Sequence, residues 1–416
     1  MKKKLLLITL LTFVTVCLFA ITVSAEAFSV TYYNLWSEKQ ETVLTDDNGQ
    51  TVIKDTGYAT EVNKQLLCWY TMEGDIFQLG ENVTLNENIS LYEGYGYKVT
   101  LENMGYMAGS NQWDQSFIQL QEDVFIDYNM GPPWGGRVII DLNGHTITTS
   151  AKKAFEQQRA GVVIVGKGKI IHTGAEAFFQ ASSHGYGDGQ QRLIIGKDVK
   201  IETNGALVNY TNNTVTNVPI QVFGEVKCSK ICHMSDLRNK LDITINPKKL
   251  TVTGDTFVTV GKFQGGTVSI NISGGQLELL PNASTLNYWN NGNFEENKSL
   301  FDIYISGGTF NIGLDNLQDY IYDETKVLTT EINGVTYSKV ANKNCNHNYE
   351  LISETNASCI QLASKTYTCK ECLDTYTLYL NNYLDHQWSL TSDTQPTLSS
   401  KGIKIYTCNV CHQTKN

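Results

Sequence analysis

Two cysteine pairs near the C-terminus stand in one frame. Tyr367-Thr-Cys369-Lys-Glu-Cys372 recurs 39 residues later as Tyr406-Thr-Cys408-Asn-Val-Cys411, and each pair follows a histidine, His347 or His386, by 22 residues. A Cys-x-x-Cys turn holds two soft thiolates where one tetrahedral metal can take both. In the first copy His347, Cys359, Cys369 and Cys372 offer three thiolates and one imidazole. That is a closed Cys₃His set, suited to a structural zinc with no position left for water. The second copy offers His386, Cys408 and Cys411, but Leu398 stands where the frame asks for a cysteine, so a fourth ligand is expected to be missing. Cys345 has no counterpart, because position 384 is Leu; it could compete as a ligand or pair with Cys359, and His386 could close the first site by exchange between copies. A disulfide between Cys369 and Cys372, or reduced and unused thiols, are the alternatives to zinc. A closed site would supply folding free energy of about 10 kcal/mol, which a small module rich in Gly, Asn and Thr needs. A fixed period marks a modular array rather than an enzyme core.

The rest of the chain must carry this array. Lys2, Lys3 and Lys4 precede an apolar run from Leu5 to Val23, and Val23-Ser24-Ala25 offers small residues for cleavage. Residues 1–25 therefore read as an export signal. The run approaches the ~20 residues of a membrane span, which leaves an uncleaved anchor as the alternative; no other segment is apolar enough, so no stable span is expected after cleavage. Losing three lysines takes the net charge from −10 to about −13, a balance that argues against nucleic acid and anionic membrane surfaces. Nine of the ten cysteines then remain, an odd count that disfavours a fully paired disulfide framework, and six of them lie after residue 340. Twenty-two tyrosines and 34 glycines with six prolines suit strands and turns. Short helical turns are expected only at 151–160 and 314–321. The mature chain is long enough for two to four domains.

Between residues 98 and 330, short β-branched runs recur: Val138–Thr148, Val162–Ile171, Leu193–Ile201, Ile220–Cys228, Ile243–Val252, Val268–Leu277 and Ile303–Ile312. Their first apolar residues step by 24, 31, 27, 23, 25 and 35 positions. Such units bury one face of two small strands and cannot stand alone, whereas stacked units share a core. Two or three strands per coil of about 20–30 residues point to a parallel β-helix; an antiparallel sandwich, with strands about 8–12 residues apart, is the alternative. Residues 28–97 differ. Phe28–Tyr33 alternates as a half-buried strand, Asn48-Gly49 reads as a tight turn, and Trp69 as a core anchor.

Each segment resembles a known module. Phe28–Tyr33, Cys68-Trp69-Tyr70 and Leu91-Tyr92 resemble the internalin B-repeat, a small β-grasp unit of exported bacterial surface proteins, although Cys68 replaces its usual glycine and the final Ala-x-Trp is missing. The Asp141-Leu-Asn-Gly-x-Thr-Ile147 and Ile-Ser-Gly-Gly motifs at 272–275 and 305–308 resemble pectin-lyase-like β-helices. Residues 341–416 resemble the Cys/His (zinc-ribbon-like) repeats that end exported proteins of anaerobic Gram-positive bacteria, with Leu373 and His412 where glycine is usual. Together the resemblances imply a mainly β chain: a right-handed parallel β-helix (98–330) between a small β-grasp module (28–97) and two 39-residue Cys/His repeats (341–416). They also imply a secreted or cell-surface protein of a Gram-positive bacterium.

Other chemistry is thinner. Asp123, Asp127, Asp141, His184, Asp188, Arg137, Arg159 and Arg192 lie on unrelated coil positions and match no spaced motif of polygalacturonases. Lyases need carboxylates converging on calcium beside a base, and hydrolases two carboxylates across the bond. Cys228 and Cys232, beside His233, are read as packing residues, and His145 and His172 as coil-surface residues. Trp134, on the Pro132-Pro-Trp-Gly-Gly136 turn, and Tyr288-Trp289, in an Asn-rich insertion, are candidates for stacking on sugar rings. The expected function is an adhesion or glycan-binding scaffold without catalysis, its partner an extracellular glycan or a host or cell-wall surface component. A carbohydrate-active enzyme on the same coils and a purely structural spacer are the alternatives.

Overall fold

Strand formation in this chain follows the β-branched runs. In the computed structural model, residues 27–34, 37–59, 64–103, 116–130, 137–157, 161–181, 192–210, 218–238, 240–280, 298–332, 335–369, 374–380, 383–395 and 402–415 are described. The region from residue 116 to 310 winds repeatedly through three parallel sheets. The first sheet runs Ser116–Leu120, Arg137–Asp141, Gly161–Val165, Leu193–Ile195, Val218–Val222, Leu241–Ile245, Val268–Ile272 and Phe301–Ile305. Strands that follow each of these build a second sheet, from Val124–Ile126 through Gly168–His172 and Glu225–Cys228 to Thr309–Phe310. A third sheet takes Phe155–Gln157, Phe179–Ala181, Ala206–Tyr210, Lys230–Leu237 and Val258–Phe263. Hairpin pairing is absent from the described residues of these three stacks between 138 and 305, so the antiparallel sandwich does not describe them.

Register explains why the stack is stable. Ile118, Ile140, Ile164, Ile195, Val222, Ile245, Ile272 and Ile305 pair one above the next, and all are at most 1% exposed. Ile147, Ile170, Ile201, Val226, Leu250, Leu277 and Phe310 form a matching column in the second sheet. A β-branched side chain fits a pleated surface, and each coil buries its apolar face against two neighbours. The Ser-Gly-Gly corners make room for this stacking. At Gly275 (φ +83°) a Cβ would sit 2.1 Å from the Pro247 carbonyl oxygen of the coil below, and at Gly307 2.2 Å from that of Ser273.

Two expectations change here, and the packing role read for Cys228 and Cys232 does not. His172 is buried, not a surface residue: its ring nitrogens lie 3.0 Å from Thr203 Oγ1 and from the Ala151 carbonyl. It shares strand parity with the interior Ile170, and burial holds its pKa below the usual value. Residues 155–157 form a strand of the third sheet rather than a helical turn, whereas Asp315–Tyr320 is a 3₁₀ helix. Cys228 and Cys232 are fully buried, and burial pushes the Cys228 thiol up to about 12.

Thr325–Ile332 and Val335–Asn342 form a hairpin, and its second strand pairs antiparallel with Thr309–Phe310. This hairpin covers an edge of the second sheet that would otherwise be open to pairing. By internal contacts the chain divides into two compact units. One contains the described residues up to Thr71 with Ile76–Tyr97; the other contains Met72–Asp75 and everything from Lys98. In the first unit Ser29–Tyr33 pairs antiparallel with Lys39–Leu44 and parallel with Ile89–Val99, which pairs antiparallel with Gln65–Tyr70. Val30, Tyr32, Ile53, Trp69 and Leu91 are its core, and Trp69 Nε1 donates to the Lys54 carbonyl at 2.7 Å.

Candidate metal centres

The 39-residue repeat is a repeat of structure as well as of sequence. Tyr349–Thr355, Ala363–Cys369 and Thr375–Leu380 make one antiparallel sheet, and Trp388–Thr394, Ile403–Cys408 and Thr414–Lys415 make another. Tyr349 pairs with Cys369 and Trp388 with Cys408, and both sheets shift register after the same frame position, Leu351 or Leu390. The Cys369 N–H donates to the Asp374 carbonyl and the Cys408 N–H to that of Gln413, each at 2.8 Å. The histidines pack on the neighbours at the same frame position, His347 stacked on Tyr349 and His386 tilted against Trp388.

Ligand atoms converge at two places, with separations of at most 4.8 Å within each. One group is Cys345, His347 and Cys369; the other is Cys359, His386, Cys408 and Cys411. Cys359 is thus grouped with the second copy, not with His347 and Cys369 as its place in the sequence suggests. The reason is strand length. Ala363–Cys369 is extended, and at about 3.3 Å per residue its two ends are some 20 Å apart. A cysteine in the turn before the strand cannot meet one at its far end. Cys345 takes the vacated role: its Sγ lies 3.4 Å from Cys369 Sγ, as Cys359 Sγ lies 3.6 Å from Cys408 Sγ. Cys372 lies outside the described residues, as do Trp134, Tyr288, Trp289 and residues 1–25.

The spacings suit one tetrahedral ion. With sulfur ligands at about 2.3 Å, two thiolates on one ion are about 3.8 Å apart, well beyond the roughly 2.05 Å of a disulfide. Cys411 Sγ lies 3.2 Å from His386 Nδ1, and Cys359, Cys408 and Cys411 are unbridged. At Cys408 burial raises the thiol pKa, but the N–H groups of Cys411 and Val410, with the His386 and Cys411 side chains, outweigh it and bring the pKa to about 5. At Cys359 burial and then the thiols of Cys411 and Cys408 all raise it, to about 12. In the first group His347 Nε2 donates to the Asn342 carbonyl at 2.5 Å. With Nε2 donating, Nδ1, 3.9 Å from Asp374 Oδ2, is the nitrogen that would serve as a metal ligand. Each group can bind a metal ion, and the four donors of the second are the number that fills a tetrahedral ion.

Among the described residues, Asp123, Asp127 and Asp141 join no cluster of converging ligand atoms. Asp141 is buried and accepts from Gln119 Nε2 and from the Asn143 N–H, each at 2.9 Å, which shapes the Asn143-Gly144 turn. Asp123 accepts from the Thr146 N–H at 2.8 Å. His184, Asp188 and Arg159 lie outside the described residues. No protein family, curated protein or solved structure matches the chain. Among the described residues no helix is long and apolar enough to cross a membrane.

Proposed function

We propose that this chain is an exported, surface-associated binding scaffold: a β-grasp module and a right-handed parallel β-helix, closed by Cys/His repeats that each hold a structural zinc. The observation that carries the zinc reading is the lack of any other core among the described residues of the second repeat. Among the described residues after Leu378, Cys408 is the one buried apolar side chain. The strand Trp388–Thr394 is mostly exposed. A sheet so poorly buried needs another source of stability, and four converging donors supply it. The β-grasp reading is supported by the sheet order of the first unit, in which the opening strand lies parallel to Ile89–Val99 and between it and Lys39–Leu44.

Adhesion to glycan is supported by an aromatic groove of about 760 Å³. Tyr304 and Tyr322 border it at 40% and 41% exposure, their ring centroids 5.1 Å apart. Asn246, Glu324 and Asp374 also line the groove. Tyrosine faces edged by amides and carboxylates suit the apolar C–H faces and hydroxyls of sugars. Titration of cell-wall and host oligosaccharides into the purified chain tests this: binding lost in Tyr304→Ala and Tyr322→Ala supports adhesion. Uniform failure to bind would leave the spacer reading, and release of unsaturated or reducing ends from uronate polymers would favour an enzyme.

A further inference from the structure

We infer that the two repeats hold metal by relay: the second centre takes its histidine and Cys-x-x-Cys pair from its own repeat and its remaining thiolate from the repeat before it. The inference rests on the zinc reading for the identity of the ion. Its argument is one of frame. Position 384 is the counterpart of Cys345 and is Leu. The Leu384 N–H donates to the Ser358 carbonyl at 3.0 Å, which lays the turn carrying Cys359 against the place where a second Cys345 would stand. The turn is held by its own bonds, Ser358 N–H to the Gln361 carbonyl at 2.7 Å and Ile360 N–H to Ser358 Oγ at 3.2 Å. Cys359 therefore reaches Cys408 just as Cys345 reaches Cys369, and 408 is the counterpart of 369.

Leu398 acquires a meaning on this account. It is the counterpart of Cys359, so the second repeat carries no thiolate to pass onward, and its own centre is complete without one. Metal in the second centre joins the chain at 359 to the chain at 408 and fastens one repeat to the next.

Zinc counting on the full chain under reducing conditions, with paired substitutions, tests the relay. Wild type should hold two equivalents and Cys359→Ser one. Adding Cys408→Ser to Cys359→Ser should leave one, because both residues serve the same centre, whereas adding Cys369→Ser should leave none. The reverse pattern, one equivalent with Cys369→Ser and none with Cys408→Ser, would overturn the relay and keep the zinc. A wild-type chain without zinc would overturn both. Gain of function guards against misfolding: Leu384 is 56% exposed, and Leu384→Cys in the Cys359→Ser chain should restore the second equivalent. A chain that stays at one would overturn the frame equivalence.

Discussion

Ile140→Ala removes three carbons from the middle of the first-sheet column. Ile140 is fully buried, with Ile118 and Ile164 in register on either side. At about 0.8 kcal/mol per buried methylene the transfer loss is about 2.4 kcal/mol. The cavity adds to it, because ladder hydrogen bonds hold both neighbouring strands and little collapse is open to them; a total of about 3–4 kcal/mol results. The loss should spread, since each coil's core is shared. Hydrogen exchange followed by mass spectrometry should show Ser116–Leu120, Arg137–Asp141 and Gly161–Val165 losing protection together. Phe125→Ala, at a site 56% exposed in the second sheet, should change protection by less than about 0.5 kcal/mol. Ile140→Asp should unfold the same coils outright. An Ile140→Ala chain that loses under about 1 kcal/mol, or loses it in one strand alone, would refute the shared core.

Three further outcomes are expected. Gly275→Ala, which puts a Cβ against the Pro247 carbonyl at a positive φ, should lower stability by more than about 1 kcal/mol, read as a lower urea midpoint. Burial raises the Asp141 pKa, with the Gln119 and Asn143 bonds only partly opposing it. The folded chain therefore binds this proton more tightly than the unfolded one, and stability falls as pH rises through the carboxylate range. Asp141→Asn should lose that dependence and gain on wild type as pH rises; parallel denaturation curves at all pH values would reject the assignment. Acidification should release metal from the Cys/His repeats together with loss of their protease resistance, because thiolates and imidazole must be deprotonated to bind. Release without any change in cleavage would separate metal from folding.

Much of the coil stack is legible in the sequence because interior columns demand β-branched residues at every second position, as in Ile243-Thr-Ile245 and Ile270-Asn-Ile272. His172 could have been placed inside by the same parity, since it lies two residues after Ile170 in one strand; its polar ring obscured the signal. The strand at 155–157 was harder to read, being three residues long and held by its neighbour Phe179–Ala181 rather than by local preference. The metal donors were legible as residue types, but their grouping was not. A repeat in sequence invites assignment within each copy, whereas the partners of Cys359 depend on the length of Ala363–Cys369 and on a contact between Ser358 and Leu384. Cys345, without a counterpart at 384, reads in the sequence only as a competing ligand or a partner of Cys359, although that same vacancy is what Cys359 fills.

Diffraction data from the zinc-loaded chain, collected on either side of the zinc absorption edge, test the central claim most directly. The account predicts an anomalous peak with Cys359, Cys408 and Cys411 sulfurs at about 2.3 Å and a His386 nitrogen at about 2.0–2.1 Å. A peak at the second centre without Cys359, or Cys359 joined to another cysteine at about 2.05 Å, would contradict it.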